Sequence, residues 1–355
     1  MNDDVYVKLR EFMNTLPAGY PSTPSGVEIR ILKKLFSPEE AELTTQLRTE
    51  PEEVASIAAR LGLEEAGLAK KLEAMAQKGL IFRVRKENKV LYQAIQFIVG
   101  VYEFQLNHLD EEFCRMFEEY LPYFGMSLMA VKTKQLRVLP VESAMKATPV
   151  VETYNRAREM IDGQELFSVS PCICRKEREV LGKKCDRPQE TCLGFGDIAQ
   201  FYIDNHMGRA ISKSEALKIL DFAEASGLVL SPTNSQEIAA LCCCCPCCCP
   251  TLKYAKLMPR PVDMVMSYYQ AAINVDLCTN CGLCPERCQM AAIKEGSESY
   301  QILDGRCIGC GLCVSVCPTE AISLLPKPGM TPPPKNFLQD TLSAIKAERH
   351  AMKAR

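Results

Sequence analysis

Between residues 27 and 98 the apolar positions recur first at helical spacing and then at strand spacing. In GVEIRILKKLF, Val27, Ile29, Ile31, Leu32 and Leu35 form one stripe. Ser37-Pro38-Glu39-Glu40 reads as a helix start with proline at the first helical position. Residues 52–61 carry Val54, Ile57, Ala58 and Leu61 on one face and stop at Gly62, and residues 64–78 carry Leu68, Leu72 and Met75 and stop at Gly79. LIFRVR and KVLYQAI flank Lys86-Glu87-Asn88, which predicts strand, turn and strand. Phe104, Leu109, Phe113, Phe117 and Leu121 predict a further helix within 99–130, before Pro122. From 131 to 270 short strands (136–141, 166–169, 227–230) alternate with helices (151–161, 197–205, 213–225). Lys327-Pro328-Gly329 and Pro332-Pro333-Pro334 predict a stiff linker before a last helix over 337–353.

Composition changes this picture at one point. The chain has 355 residues with 20 Cys, 3 His and no Trp. Residues 1–171 contain one cysteine, Cys114, and the other 19 fall between 172 and 317, so a boundary is expected near 130–170. No secretory signal is read at the N-terminus, which begins with two acids. The longest apolar run, 90–104, is interrupted by Gln93, Gln96 and Glu103 and falls short of a membrane span. A cytoplasmic setting keeps thiols reduced, so clustered cysteines read as metal ligands rather than disulfides. With so few histidines the ligands are thiolates, which select zinc or iron–sulfur clusters. The formal net charge of −2 gives no global pull toward nucleic acid or membrane.

The clearest motif runs from 278 to 318. Cys278-x2-Cys281-x2-Cys284-x3-Cys288 repeats 29 residues later as Cys307-x2-Cys310-x2-Cys313-x3-Cys317-Pro318, with Gly282-Leu283 matching Gly311-Leu312 and Ala292-Ile293 matching Ala321-Ile322. Three cysteines at i, i+3 and i+6 on a tight loop reach separate irons of one cube, and the x3 step delivers the fourth to the other cube. The expected ligand sets are therefore Cys278, Cys281, Cys284 and Cys317 for one [4Fe–4S] cluster, and Cys307, Cys310, Cys313 and Cys288 for a second. A pair of zinc ribbons would instead use two CxxC pairs with a longer spacer. The segment resembles the bacterial two-cluster ferredoxin family, departing from it at Gln289, where that family usually has proline. The resemblance implies single-electron transfer with a redox partner protein or an oxidoreductase complex. Residues 273–325 hold six acids and three bases, an acidic surface that suits a basic partner.

Eleven thiols remain: Cys172, Cys174, Cys185 and Cys192, then Cys242, Cys243, Cys244, Cys245, Cys247, Cys248 and Cys249 around Pro246. The leading reading is at least one further iron–sulfur cluster on Cys172, Cys174, Cys185 and Cys192, supplemented from the tandem run. A non-cubane or second cubane cluster, similar to the tandem-Cys sites of heterodisulfide-reductase-type subunits, and a structural zinc knot with surplus buried cysteines are the alternatives. Cys114 is expected to be a buried structural thiol.

Helices followed by a two-stranded ribbon resemble a winged helix-turn-helix of bacterial regulators. Residues 60–90 carry eight bases, Arg60, Lys70, Lys71, Lys78, Arg83, Arg85, Lys86 and Lys89, against four acids. DNA is an open partner but not the favoured one, because Ala66, Gly67 and Ala69 offer little base-edge chemistry. The terminal helix, with Lys346, Arg349, Lys353 and Arg355, is expected to touch a membrane surface or partner groove, or simply to dock or fray.

The expected architecture is α+β and multidomain. A winged-helix-like domain with a helical extension occupies 1–130, a mixed α/β cysteine-rich domain 131–270, a two-cluster ferredoxin-like domain 271–325, and a Pro-rich linker with a basic helix 326–355. The order of motifs, SPCICR, ETCLGFG, GLVLSPTN, the tandem cysteines and the ferredoxin end, is similar to uncharacterised 4Fe–4S ferredoxin-type proteins of anaerobes. That likeness implies cluster binding and names no substrate. The expected function is a low-potential electron relay to a partner oxidoreductase. The alternatives are a redox-sensing transcriptional regulator and an iron–sulfur reductase whose middle cluster is the active site.

Overall fold

A computed structural model describes residues 3–146 and 153–353. The start of the helix expected over 151–161 lies partly outside these residues, and its described part is a short turn followed by α8.

The N-terminal part is helical with one small sheet. Its elements are α1 (Asp3–Thr15), α2 (Val27–Leu35), α3 (Pro38–Gln46), β1 (Glu52–Glu53), α4 (Val54–Leu61), α5 (Glu65–Gln77), β2 (Phe82–Lys86), β3 (Lys89–Gln93) and α6 (Glu111–Met129). The start of α3 is a full capping box: the Ser37 side chain accepts from the Glu40 N–H and the Glu40 carboxylate accepts from the Ser37 N–H. The β1, β2 and β3 strands form an antiparallel sheet in the order β1-β3-β2.

The structure departs from the expected helix over 99–130. Residues 98–100 are non-helical, with Val99 in the left-handed region, and α6 begins only after Asp110, whose carboxylate accepts from the Phe113 N–H at 2.8 Å. The helix then runs through Pro122. Its apolar face, Phe113, Phe117, Tyr120 and Phe124, is buried in the N-terminal core, which holds the helix together past the missing N–H. Cys114 is fully buried on this helix, and burial pushes its thiol up to about 12.

The second part comprises β4 (Arg137–Val138), α7 (Glu142–Lys146), α8 (Ala157–Asp162), β5 (Phe167–Pro171), α9 (Ile173–Val180), β6 (Glu190–Phe195), α10 (Gly196–Asp204), β7 (Arg209–Ala210), α11 (Lys213–Ala225), β8 (Val229–Pro232), β9 (Ala240–Cys244) and α12 (Pro250–Leu257). Its five-stranded sheet, β7-β5-β6-β9-β8, is antiparallel throughout, so the architecture is α+β. One core runs from Val138 to Leu324, so the cysteine-rich part and the C-terminal segment share their buried interior. A second core spans Tyr6 to Phe124 and recruits Ile173, Phe201, Tyr202 and Met207.

That recruitment locks the β2–β3 ribbon against α10. Phe201 sits 5.0 Å from Phe82 and 4.4 Å from Phe104 between ring centroids. Arg83 is buried with its guanidinium on Glu73 at 2.5 Å and Asp204 at 3.1 Å, and Arg85 joins Asp204 at 2.6 Å. On the other side, the Tyr102 hydroxyl donates to Glu177 of α9 at 2.6 Å.

The C-terminal segment holds β10 (Met266–Ser267), β11 (Tyr269–Ile273), α13 (Leu283–Arg287), β12 (Ile293–Glu295), β13 (Tyr300–Ile302), β14 (Ile322–Pro326) and the terminal α14 (Leu342–Lys353). The β11 and β14 strands pair antiparallel, as do β12 and β13. Gln289, the departure from proline, donates to the Gly227 carbonyl at 2.8 Å, and Arg287 donates to the carbonyls of Glu224 and Ala225. These carbonyls end α11, where the partial negative charge of a helix C-terminus favours a cation and an N–H donor. A proline at 289 would have no side-chain donor for this contact. The terminal helix docks: Glu348 accepts from the Lys132 N–H at 2.7 Å and from the Thr133 hydroxyl at 2.6 Å, Arg349 donates to the Ser127 hydroxyl, and Ile345 is buried. Among the described residues no helix is long and apolar enough to cross a membrane.

Three outcomes are expected. Arg83→Ala takes a buried guanidinium from Glu73 and leaves Asp204 to Arg85 alone, and should cost roughly 2 kcal/mol in denaturant unfolding, against less than about 0.5 for Lys86→Ala. Gln289→Pro should cost about 1 kcal/mol and raise amide exchange in 224–228 while iron content stays constant. Burial holds the Glu177 carboxyl up at about 7, above its ordinary 4.5, although the Tyr102 hydroxyl bond opposes this. The native state therefore binds the proton more tightly than the unfolded chain. This contribution is fully present below about pH 4.5 and is lost as pH rises through 7. Glu177→Gln should consequently gain on wild type by about 2–3 kcal/mol between pH 5 and pH 8 in parallel unfolding titrations.

Candidate metal centres

The eight repeated cysteines line two separate pockets. One is bounded by Cys278, Cys281, Cys284 and Cys317 with Ile273, Tyr300 and Ile322. The other is bounded by Cys288, Cys307, Cys310 and Cys313 with Ile302, Ile308 and Leu312. Each pocket thus combines three cysteines of one motif with the fourth of the other. The second loop needs its glycines: a Cβ on Gly309 (φ 65°) would lie 2.2 Å from the Tyr269 carbonyl oxygen, and one on Gly311 (φ 74°) would lie 2.5 Å from the Ala144 Cβ. Backbone N–H groups reach the sulfurs, from Ala271 to Cys307 Sγ at 3.3 Å and from Ala292 to Cys288 Sγ at 3.2 Å. Apolar walls, thiols on four sides and N–H donors suit a [4Fe–4S] cube in each pocket. The two pockets differ in setting. Cys281 of the first is exposed, whereas the loop of the second is bonded to the cysteine-rich part through the Val141 N–H and the Cys310 carbonyl at 3.0 Å.

The other 11 thiols separate by simple strand geometry. Side chains alternate along β9, so Cys242 and Cys244 share one face and Cys243 points to the other. Cys243 is buried in the hydrophobic core. Cys192 on β6 is the cross-strand partner of Cys242 and joins its face. Cys172 follows β5 as the N-cap of α9, and Cys249 is the N-cap of α12. Thiol contacts run from Cys172 to Cys174, Cys249, Cys244, Cys242 and Cys192 in that order, giving a set of six. Cys249 is held well below the usual thiol range by its contacts with Cys174 and Cys244 and by the N–H groups of Leu252 and Thr251.

Past Pro246 the chain turns, and Cys245, Cys247 and Cys248 meet Cys185 from the loop between α9 and β6. These four sulfurs all lie within 4.8 Å of one another. The sequence grouping of Cys172, Cys174, Cys185 and Cys192 is therefore not the spatial one: Cys185 falls with Cys245, Cys247 and Cys248 on either side of Pro246, and the other three fall with the strand and helix-cap cysteines.

Between the two sets lies Arg175, which the motif reading passed over. Its buried guanidinium donates to the carbonyls of Pro188 and Cys243 at 2.7 Å each. Burial works against its charge, but the thiolates of Cys172 and Cys245 outweigh that cost and raise its pKa. The same cation helps the Cys248 contact hold Cys245 down at about 5. The arginine directly after Cys174 in SPCICR was the available signal for it.

The six-thiol set opens on apolar space. Two cavities of about 90 and 120 Å³ share Ile98, Val99, Leu128, Leu136, Cys244 and Cys249 in their walls. The larger also meets Cys172, Cys174, Cys192 and Cys242, and Glu103, whose carboxylate accepts from the Gly100 N–H at 2.9 Å. Burial pushes the Glu103 carboxyl up to about 7. Val99, a β-branched residue at φ 54° and ψ 55°, is strained in this wall.

Of the cations read as a nucleic-acid footprint, most are paired within the chain: Arg83 and Arg85 as above, Arg60 with Glu52, Lys78 with Glu40 and Lys89 with Glu53. Lys70, Lys71 and Lys86 stay exposed.

No curated protein and no solved structure matches the chain. Residues 271–324 match the family model of the 4Fe–4S dicluster domain. Residues 271–324, with their two four-cysteine pockets, are thus a 4Fe–4S ferredoxin-type dicluster segment, and the chain carries a further group of four cysteines outside it.

Proposed function

We propose that the protein relays electrons between a partner oxidoreductase and a further iron–sulfur cluster in its own cysteine-rich part, within a reducing compartment such as the cytoplasm. Cys278, Cys281, Cys284 and Cys317 hold one [4Fe–4S] cluster, Cys288, Cys307, Cys310 and Cys313 the second, and the six-thiol set the further one. When bound, such clusters exchange single electrons at potentials set by burial and by hydrogen bonds to sulfur.

The observation that carries this reading is the way the C-terminal segment is fastened. Arg287 and Gln289 grip the end of α11, Val141 grips the Cys310 loop, and Arg306 donates to the carbonyls of Lys256 and Met258 at the end of α12. The other end of α12 is Cys249. Its eight residues span about 12 Å, so one short helix separates the Arg306 contact from the six-thiol set. The exposed Cys281 side is left for an external partner.

A second reading, a reductase with the six-thiol centre as active site, is favoured by the apolar cavities that open on these sulfurs beside Glu103. The regulator reading is supported by the helix pair and ribbon, which suit a winged helix, but most of that region's cations are spent on internal ion pairs.

Iron and acid-labile sulfide measured anaerobically on wild type and on Cys172→Ala/Cys174→Ala separate these ideas. The expected result is roughly twelve or more irons per chain, falling to about eight in the variant with the dicluster EPR signals intact. About eight in both proteins would remove the further cluster. Perturbation of the third signal by a small apolar ligand would favour the reductase, and salt-sensitive DNA binding that follows cluster state would favour the regulator.

A further inference from the structure

The four-thiol set is of a different size from every other cysteine group in the molecule. Cys185 Sγ and Cys247 Sγ are 3.4 Å apart, Cys247 Sγ and Cys248 Sγ are 3.9 Å apart, and with Cys245 all four sulfurs lie within 4.8 Å of one another. A tetrahedral ion with bonds of about 2.3 Å to sulfur sets its four ligands about 3.8 Å apart. A cubane binds each cysteine to a separate iron, which spreads the sulfurs to about 6 Å. The eight ferredoxin cysteines provide the comparison inside the same molecule. Among the described residues none of them forms a group of three sulfurs within 4.8 Å, and neither does the six-thiol set.

From this geometry we infer that Cys185, Cys245, Cys247 and Cys248 bind one mononuclear tetrahedral divalent ion, zinc by ligand class, which is separate from all iron–sulfur clusters of the chain. Four thiolates complete the coordination of zinc and leave no open position, as in a closed structural site. The local backbone is built for it. The Arg187 N–H donates to Cys185 Sγ at 3.4 Å, the kind of outer hydrogen bond that orients a thiolate ligand. The Cys248 and Cys249 N–H groups both bond the Cys245 carbonyl, at 3.3 and 3.0 Å, closing a tight turn that presents three sulfurs together.

The placement gives the ion a task. Cys185 belongs to the stretch between α9 and β6, and the other three ligands belong to the turn between β9 and α12. A single ion therefore staples two connections that are 60 residues or more apart in sequence, and closing so long a loop with one ligand set limits the unfolded chain. The stapled stretch includes Pro188, whose carbonyl accepts from Arg175, and the stapled turn leads directly into Cys249. The ion would thus hold the scaffold of the neighbouring six-thiol set without exchanging electrons itself.

The test uses the full chain, purified anaerobically, with zinc, iron and sulfide counted together and zinc K-edge absorption recorded on wild type. One zinc per chain with four sulfur neighbours at about 2.3 Å and no iron neighbour is expected. Cys185→Ser and Cys247→Ser should each lose that one equivalent while dicluster iron and sulfide remain, and Cys281→Ala should lose iron but keep zinc. Iron and sulfide leaving with Cys185→Ser while zinc is absent from wild type would overturn the inference, as would a zinc shell containing nitrogen or oxygen. The wild-type spectrum decides the matter even where a serine variant fails to fold.

Discussion

Eleven thiol groups crowded around the inner strands β6 and β9 and two helix starts would repel one another as thiolates and would be poorly solvated as a buried block. The fold meets this constraint with one buried cation. Arg175 stands between the four-thiol and six-thiol sets, held by the carbonyls of Pro188 and Cys243 and by the Thr191 hydroxyl, and its charge favours the neighbouring thiolates of Cys172 and Cys245. Because it extends from α9, immediately after Cys174, the position of that helix determines the charge balance of both sets. The helix is in turn tied to the N-terminal part by Glu177 and Tyr102 and by Ile173 in the neighbouring core.

The N-terminal part consequently reads as a wall of the thiol centre as much as a separate module. Its ribbon is clamped on α10 through Arg83 and the Phe82–Phe201 contact, and its strained turn at Val99 faces the six-thiol set across an apolar cavity. The terminal helix adds Ile345 to the same wall. Of the region's cations, Arg83 and Arg85 join these parts through Asp204.

The C-terminal segment shows how a repeated motif is adapted to a larger protein. Its first pocket keeps an exposed cysteine, while the second is sealed against Val141 and Ala144 at glycines that admit no side chain. Gln289 breaks the motif where it meets the end of α11, and the amide supplies a donor that proline lacks. The departure belongs to docking, not to ligation.

Much of this was legible without coordinates. The repeat spacing suggests Cys288 for the second motif and Cys317 for the first, and the two pockets are lined by those same groups of residues. Local signals were equally clear at the Ser37-Pro38 start of α3 and at the β2–β3 turn, because each rests on residues a few positions apart. The helix expected over 99–130 was misjudged at its start: its apolar spacing was right for α6, but residues 98–100 form a turn whose Gly100 N–H is bonded by the Glu103 carboxylate. The division of the 11 middle cysteines was also beyond sequence spacing. Cys185 joins residues some 60 positions away, and Cys243 lies on the strand face opposite Cys242 and Cys244, because strand alternation, the turn at Pro246 and the pairing of β6 with β9 decide where each sulfur points. Motif spacing groups cysteines when they lie within one repeated motif. When they come from a strand, two helix caps and a distant loop, only the tertiary pairing of those elements selects the partners.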